Sequence, residues 1–360
     1  MFYLYLVLAA IVTAVLTSCR SKLPVLTWRR TPTGSSAPPN PDSKHNESTP
    51  PITAGKDWKD MEPLKFRAFK PIYHITMALQ SSTPSELIVM DSNYLSRVIE
   101  RRETMANHNT TVMGAIPSGH AAVAEVYTYL LTTYLPARYP TMFSLSTDKA
   151  TFHNLVTDRS FPTAPPPDPL EALRILGETV EDDMFLLQQT DEGHVSVAFL
   201  CCHPAGFDPS KKLGKLLRDI HTPVPQYEKI GGSMERFFGK LETGRVVKRL
   251  NWSVTTQDKL YTPAGTHIYE EDEFKQDEEV DIDKVRFRVE LQSLMRLPDT
   301  KAILFSFKTY LYPLKEIKDE GLGPQLADAI DGLKTGNAPG MFKYKGAVRW
   351  GKSVCEYLRS

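Results

Sequence analysis

The chain reads as an α+β protein, an antiparallel sheet with flanking helices, preceded by an apolar N-terminal stretch. Three observations predict this class. Helical periodicity dominates the first part of the folded region, around residues 91–105 and 118–135, where apolar side chains recur every three or four positions. From Met184 onward, short apolar runs are divided by turn residues, Asp191-Glu192-Gly193 and Pro298-Asp299, which suit hairpins. Within residues 285–294 the pattern alternates: Val285, Phe287, Val289 and Leu291 against Arg286, Arg288, Glu290 and Gln292. Hairpins of one sheet plus separate helices define an α+β domain.

Composition narrows the function classes. With 360 residues there is material for a large core. Lys plus Arg and Asp plus Glu both number 43, so the chain has no electrostatic footprint for nucleic acid. Cys19, Cys201, Cys202 and Cys355 give neither a disulfide framework nor a C-x-x-C metal spacing. No Gly-rich dinucleotide fingerprint, flavin motif or ferredoxin-type cysteine set is present.

Taken in order, residues 1–19 predict a single membrane-spanning anchor. Residues 2–17 are almost wholly apolar, and the positive charges (Arg20, Lys22, Arg29, Arg30) follow rather than precede them. By the positive-inside rule the domain then lies on the cytosolic side. Leu16-Thr17-Ser18-Cys19 also resembles a lipoprotein cleavage box, against which the missing basic segment argues. Residues 20–63, rich in Pro, Ser, Thr and Asn, predict a disordered linker. The main domain is assigned to residues 64–320 and a helical extension packing on it to 321–360.

Inside the domain, Asp91 is placed as the N-cap of a helix to about residue 105, with Arg97, Glu100 and Arg101 on its polar side. Ser118 caps a longer helix, and residues 170–177 form a short one. Strands are predicted over 185–189, 195–202, 245–253, 285–294 and 302–311. The acidic stretch 270–283 reads as a solvated loop.

The most informative stretch is 211–252. A short basic helix (211–217) delivers His221 onto a turn stiffened by Pro223 and Pro225, and a second helix (233–241) leads into a strand ending Arg249-Leu250-Asn251-Trp252. Each proline fixes its own φ and extends the residue before it, so the imidazole is presented rigidly. That suits a metal or haem ligand or a catalytic base, and equally a histidine that caps a helix end by bonding the backbone.

Here the chain resembles the alpha subunit of haem-dependent oxidative N-demethylases, and in particular their fungal relatives of unassigned substrate. The resemblance rests on K-x-x-G-K-x-L-x-x-I-H-x-P-V-P from Lys211, and on F-F-x-x-L-x-x-G-x-x-V-x-R-x-N-W ending at Trp252. It rests also on R-x-E-x-Q-x-L-x-R-L-P from Arg288 with the strand ending Thr309-Tyr310, and on Met90-Asp91-Ser92-Asn93-Tyr94. The chain departs from the family at Phe207, where a tryptophan is expected, and at Lys211-Lys212, where Glu-Lys is.

The resemblance implies a PAS-like sheet holding haem b, with His221 as the axial ligand. Arg288 and Arg249 are then partners for the propionates, Trp252 an aromatic wall, and Asn251 a further cofactor contact. The polar face of Arg288, Glu290 and Gln292 reads either as an exposed sheet face or as a site; as a site, Glu290 and Gln292 become the catalytic pair, Glu290 binding a cationic amine. Partners would be a small amine, dioxygen and a separate reductase, with oxidative N-demethylation and aldehyde release as the reaction. A non-catalytic haem sensor of the same fold is the alternative. His203 and Cys202 are the rival ligands. His74, His120, His153, His194 and His267 carry no motif and read as surface or structural.

Overall fold

The computed structural model describes residues 51–360. The expected anchor (1–19) and most of the expected linker lie outside the described residues. Among the described residues no helix is long and apolar enough to cross a membrane.

Ten strands follow in chain order: β1 (Gln80–Ser81), β2 (Met113–Ala115), β3 (Phe143–Leu145), β4 (Thr151–Asn154), β5 (Arg159–Pro162), β6 (Asp183–Thr190), β7 (Gly193–Leu200), β8 (Val246–Thr255), β9 (Arg286–Arg296) and β10 (Ile303–Pro313). Seven pair antiparallel in the order β1-β8-β9-β10-β6-β7-β2, and β3, β4 and β5 make a small second sheet. The mixed α+β class with a mainly antiparallel sheet is therefore as the hairpin signals predict.

Alternation along β9 sorts side chains onto two faces, and the register carries that sorting across the sheet. Val289 faces Trp252 of β8 and Tyr310 of β10, whereas Glu290 faces Asn251 and Thr309. On the first face Phe287, Val289, Tyr310 and Tyr312 join a core with the C-terminal helices Gly323–Asp331 and Ala347–Arg359, whose Leu326, Ile330, Trp350 and Val354 are buried. Farther along the same face, Met184, Leu186, Met295 and Leu304 pack on the helices Tyr94–Val112, His120–Thr128 and Pro169–Gly177. The other face carries Phe185, Leu187, Leu294 and Phe307, covered by the Glu228–Lys240 helix through Met234 and Phe238.

Several local expectations change. Asp91 is not the N-cap residue of the first long helix; Asn93 holds that position without a side-chain bond, and Asp91 accepts from Asn93 N at 3.0 Å while buried against Lys308 Nζ at 2.7 Å. Arg101, expected on the solvent side, is fully buried. It bonds Asp183 Oδ1 at 2.6 Å and the carbonyls of Gly177, Glu181 and Asp182, fastening the turn into β6. The basic helix at 211–217 is instead a 3₁₀ turn (Pro209–Lys212) followed by the short helix Leu217–Ile220. Gly231 and Gly232 do not delay the next helix, whose amphipathic face is long enough to bury. Trp58, within the stretch assigned to the linker, is buried in the core edge-on to Tyr94 at 5.9 Å. A large aromatic buries enough apolar area to order a polar flank.

At the seam between the two cores on the first face lies a buried ionic group. Lys308 Nζ bonds Asp91, Glu181 Oε1 at 3.0 Å and the Val89 carbonyl. Neighbouring Asp182 accepts from the Ser306 hydroxyl at 2.9 Å, and burial pushes its carboxyl up to about 7.

Candidate functional site

The second face of the sheet floors a cavity of about 290 Å³. Its apolar end is walled by Phe185, Leu294, Phe305 and Phe307 from the sheet and by Met234 and Phe238 from the covering helix. Its polar end carries Arg249, Asn251, Glu290 and Gln292. An arm, residues 73–79, passes over the cavity and is fastened by the C-terminal region. Asn337 grips Ile75 with both ends of its amide (Ile75 N to Oδ1 2.7 Å, Nδ2 to Ile75 O 3.2 Å), and Tyr73 N bonds the Gly332 carbonyl. Gly336, at φ +80°, presses on the Tyr73 carbonyl so closely that a Cβ would come within 1.9 Å, so only glycine fits.

His221 follows the short helix and lines the cavity. Its Nδ1 lies 2.8 Å from the Leu217 carbonyl, one helical turn back. A carbonyl only accepts, so the proton sits on Nδ1 and the lone pair on Nε2, which has no partner among the described residues. Tyr227 stacks on the ring at 4.7 Å and 7°, fixing its plane. Burial lowers the imidazole's pKa, and nearby Lys212 and Arg249 lower it further against the opposing Leu217 bond, so the neutral form prevails. The histidine is thus both cap and available ligand; the two readings of its sequence context are not exclusive.

Arg249 shares the cavity. Its Nε is buried without a hydrogen-bond partner, and no carboxylate bonds its guanidinium among the described residues. Glu290 and Asn251 are directly opposed on β9 and β8. Glu290 Oε2 accepts from Gln292 Nε2 at 2.9 Å and from Asn251 Nδ2 at 3.3 Å, which orients the carboxylate.

The remaining expected residues do not join them. Trp252 stands on the other face of the sheet, tilted against Phe287 at 5.7 Å, because neighbours in a strand point oppositely. Arg288 faces the right way but lies beyond the cavity's end, where its guanidinium holds the carbonyls of Leu260 (3.1 Å) and His203 (2.5 Å). His203 is buried behind that clamp and does not line the cavity. Cys202 is likewise enclosed, its thiol pushed up to about 12 by burial. Neither rival ligand reaches the site.

Sequence reasoning missed Lys345, His267 and the arm. Lys345, from the tail, is buried at the polar end, donating to Trp252 O (2.5 Å) and Asn251 Oδ1 (3.5 Å). His267 lines the cavity stacked on Tyr344 at 4.5 Å, with burial lowering its pKa to about 3. Both sit in irregular segments, where no periodicity marks a facing direction. His194, read as surface or structural, is buried, with Nδ1 2.6 Å from Glu235.

The donor set suits a haem: a neutral imidazole with one nitrogen free, a half-buried guanidinium that no carboxylate bonds among the described residues, and an apolar wall. In agreement, the model of a family described as "haem-dependent oxidative N-demethylase, alpha subunit-like" matches residues 78–355.

Proposed function

The chain belongs to the haem-dependent oxidative N-demethylase, alpha-subunit-like family, and on that premise we propose that it binds haem b through His221 and oxidatively demethylates a small amine. The observation that carries this is the tie between His221 Nδ1 and the Leu217 carbonyl, which leaves Nε2 free beside the cavity. No cysteine of the described residues lines the cavity, which supports a non-covalently held haem. Strand order supports the PAS-like reading. The first and last strands of the five-stranded core, β6 and β10, are neighbours, and the crossover between β7 and β8 carries His221 over one face.

When bound, haem would supply the redox chemistry by which an N-methyl amine, dioxygen, two electrons and two protons give formaldehyde, the shorter amine and water. The protein's part is binding and orientation. Glu290 receives the ammonium of the substrate, and Gln292 and Asn251 hold that carboxylate in one rotamer. Phe305, Phe307 and Phe185 exclude water from the carbon to be oxidised. Arg249 offers a charge-assisted bond to a propionate. Electrons come from a separate reductase, and the apolar stretch 2–17 anchors the chain in a membrane with the domain cytosolic; both are further proposals.

The test is formaldehyde release from haem-loaded protein with a reductant system and a panel of N-methylated amines. Release that stops in Glu290→Gln supports the assignment. A normal Soret band without turnover of any amine selects the haem-sensor alternative instead.

A further inference from the structure

The charges lining the cavity do not balance. Lys212, Arg249 and Lys345 stand against Glu290 alone. Glu290 is engaged by two amides, and neither Arg249 nor Lys345 bonds a carboxylate among the described residues. Burying cations without a counter-charge is costly, so such a site expects anionic groups from its occupant. The excess is two positive charges, the complement of two carboxylates.

Lys345 is the least expected of the three. It follows the Met341–Tyr344 helix in the C-terminal extension, with its ammonium between the rings of Trp252 (5.4 Å) and Tyr73 (5.9 Å). Two of its three N–H bonds are spent on Trp252 O and Asn251 Oδ1, leaving one for the cavity. Burial lowers Lys345 to about 8, the charge of Glu290 opposing that shift and the charge of Arg249 adding to it. Two cations lining one cavity, close enough for the charge of Arg249 to act on Lys345, match the paired propionates on one edge of a haem.

We propose that Lys345 receives one haem propionate while Arg249 receives the other, which makes the C-terminal extension part of the cofactor site. This rests on the haem reading above. With those two cations neutralised, Lys212 and Glu290 balance, and Glu290 keeps its charge for a cationic amine.

The experiment titrates full-length apoprotein with haem and with haem dimethyl ester, whose carboxylates are masked, following the Soret band. Wild type is expected to prefer haem. In Lys345→Met, haem should bind about tenfold to a hundredfold more weakly while the diester is unaffected, and Lys345→Arg should restore the preference. Lys345→Gln, which keeps a donor for the Trp252 carbonyl and loses only the charge, serves should the methionine variant not fold. Equal weakening of haem and diester would mean a merely structural lysine and overturn the proposal, as would an unchanged preference. A wild type that binds both equally overturns it while leaving the haem reading intact. A wild type with no Soret band for either ligand sinks the haem reading itself.

Discussion

Replacing His221 by alanine separates its two roles by size. In the apoprotein the loss comprises one hydrogen bond from Nδ1 to Leu217 O, about 0.5–1.5 kcal/mol, and the stacking on Tyr227, about 0.5–1.5 kcal/mol. The Leu217 carbonyl is not orphaned, because the backbone N–H of His221 still bonds it at 3.1 Å. The total is therefore about 1–3 kcal/mol, a melting shift of a few degrees for a domain of this size. The haem spectrum, by contrast, should be lost or radically altered, since alanine offers no lone pair, and added imidazole should restore it. His203→Ala is the control: outside the cavity, it should leave the Soret band as in wild type. Protonation removes the same lone pair, and burial lowers the folded pKa of His221, so haem should be retained below the ordinary histidine range and released only as pH falls through the lowered value. A normal Soret band in His221→Ala, or its loss in His203→Ala, would refute the ligand assignment.

Three other outcomes test the scaffold. Lys308→Met leaves Asp91 and Glu181 buried without their cation and should cost about 3–5 kcal/mol in urea unfolding; a loss below about 1 kcal/mol would show the site to be wetter than it looks. Asp182 has its folded pKa raised to about 7, so the folded state holds a proton the unfolded state gives up. Its contribution to stability then declines as pH rises from about 4 through 7. Asp182→Asn should accordingly gain on wild type progressively from about pH 4 to pH 8, and an effect independent of pH would contradict the shift. Trp58→Ala should cost about 3–5 kcal/mol by thermal melting, whereas a linker residue would cost nothing measurable.

How much of this was legible depends on whether a residue sits in a repeating element. The alternation along 285–294 correctly put Glu290 and Gln292 on one side, and the hairpin turns placed β6, β7, β9 and β10. The same parity separates Trp252 from Arg249 and Asn251, a consequence contained in the strand assignment itself. Arg288 has the right parity, but the loops that close over its end of the sheet come from residues distant in sequence, so its burial was not readable. Glu181-Asp182-Asp183 sets three carboxylates side by side in sequence, and only the tertiary approach of Arg101, Ser306 and Lys308 makes their burial tolerable. Lys345 lies in a segment with no period at all.

The clasp on the arm also sets a timetable. A ribosome delivers the chain from its N-terminus, and Ile75 emerges 262 residues ahead of the asparagine that grips it. At 5–20 residues per second that is a wait of roughly 13–50 s. Throughout it the aromatic floor is being laid strand by strand while its roof has nothing to fasten to. A nascent chain therefore has no finished vessel until residues 332–337 have emerged to fasten the arm.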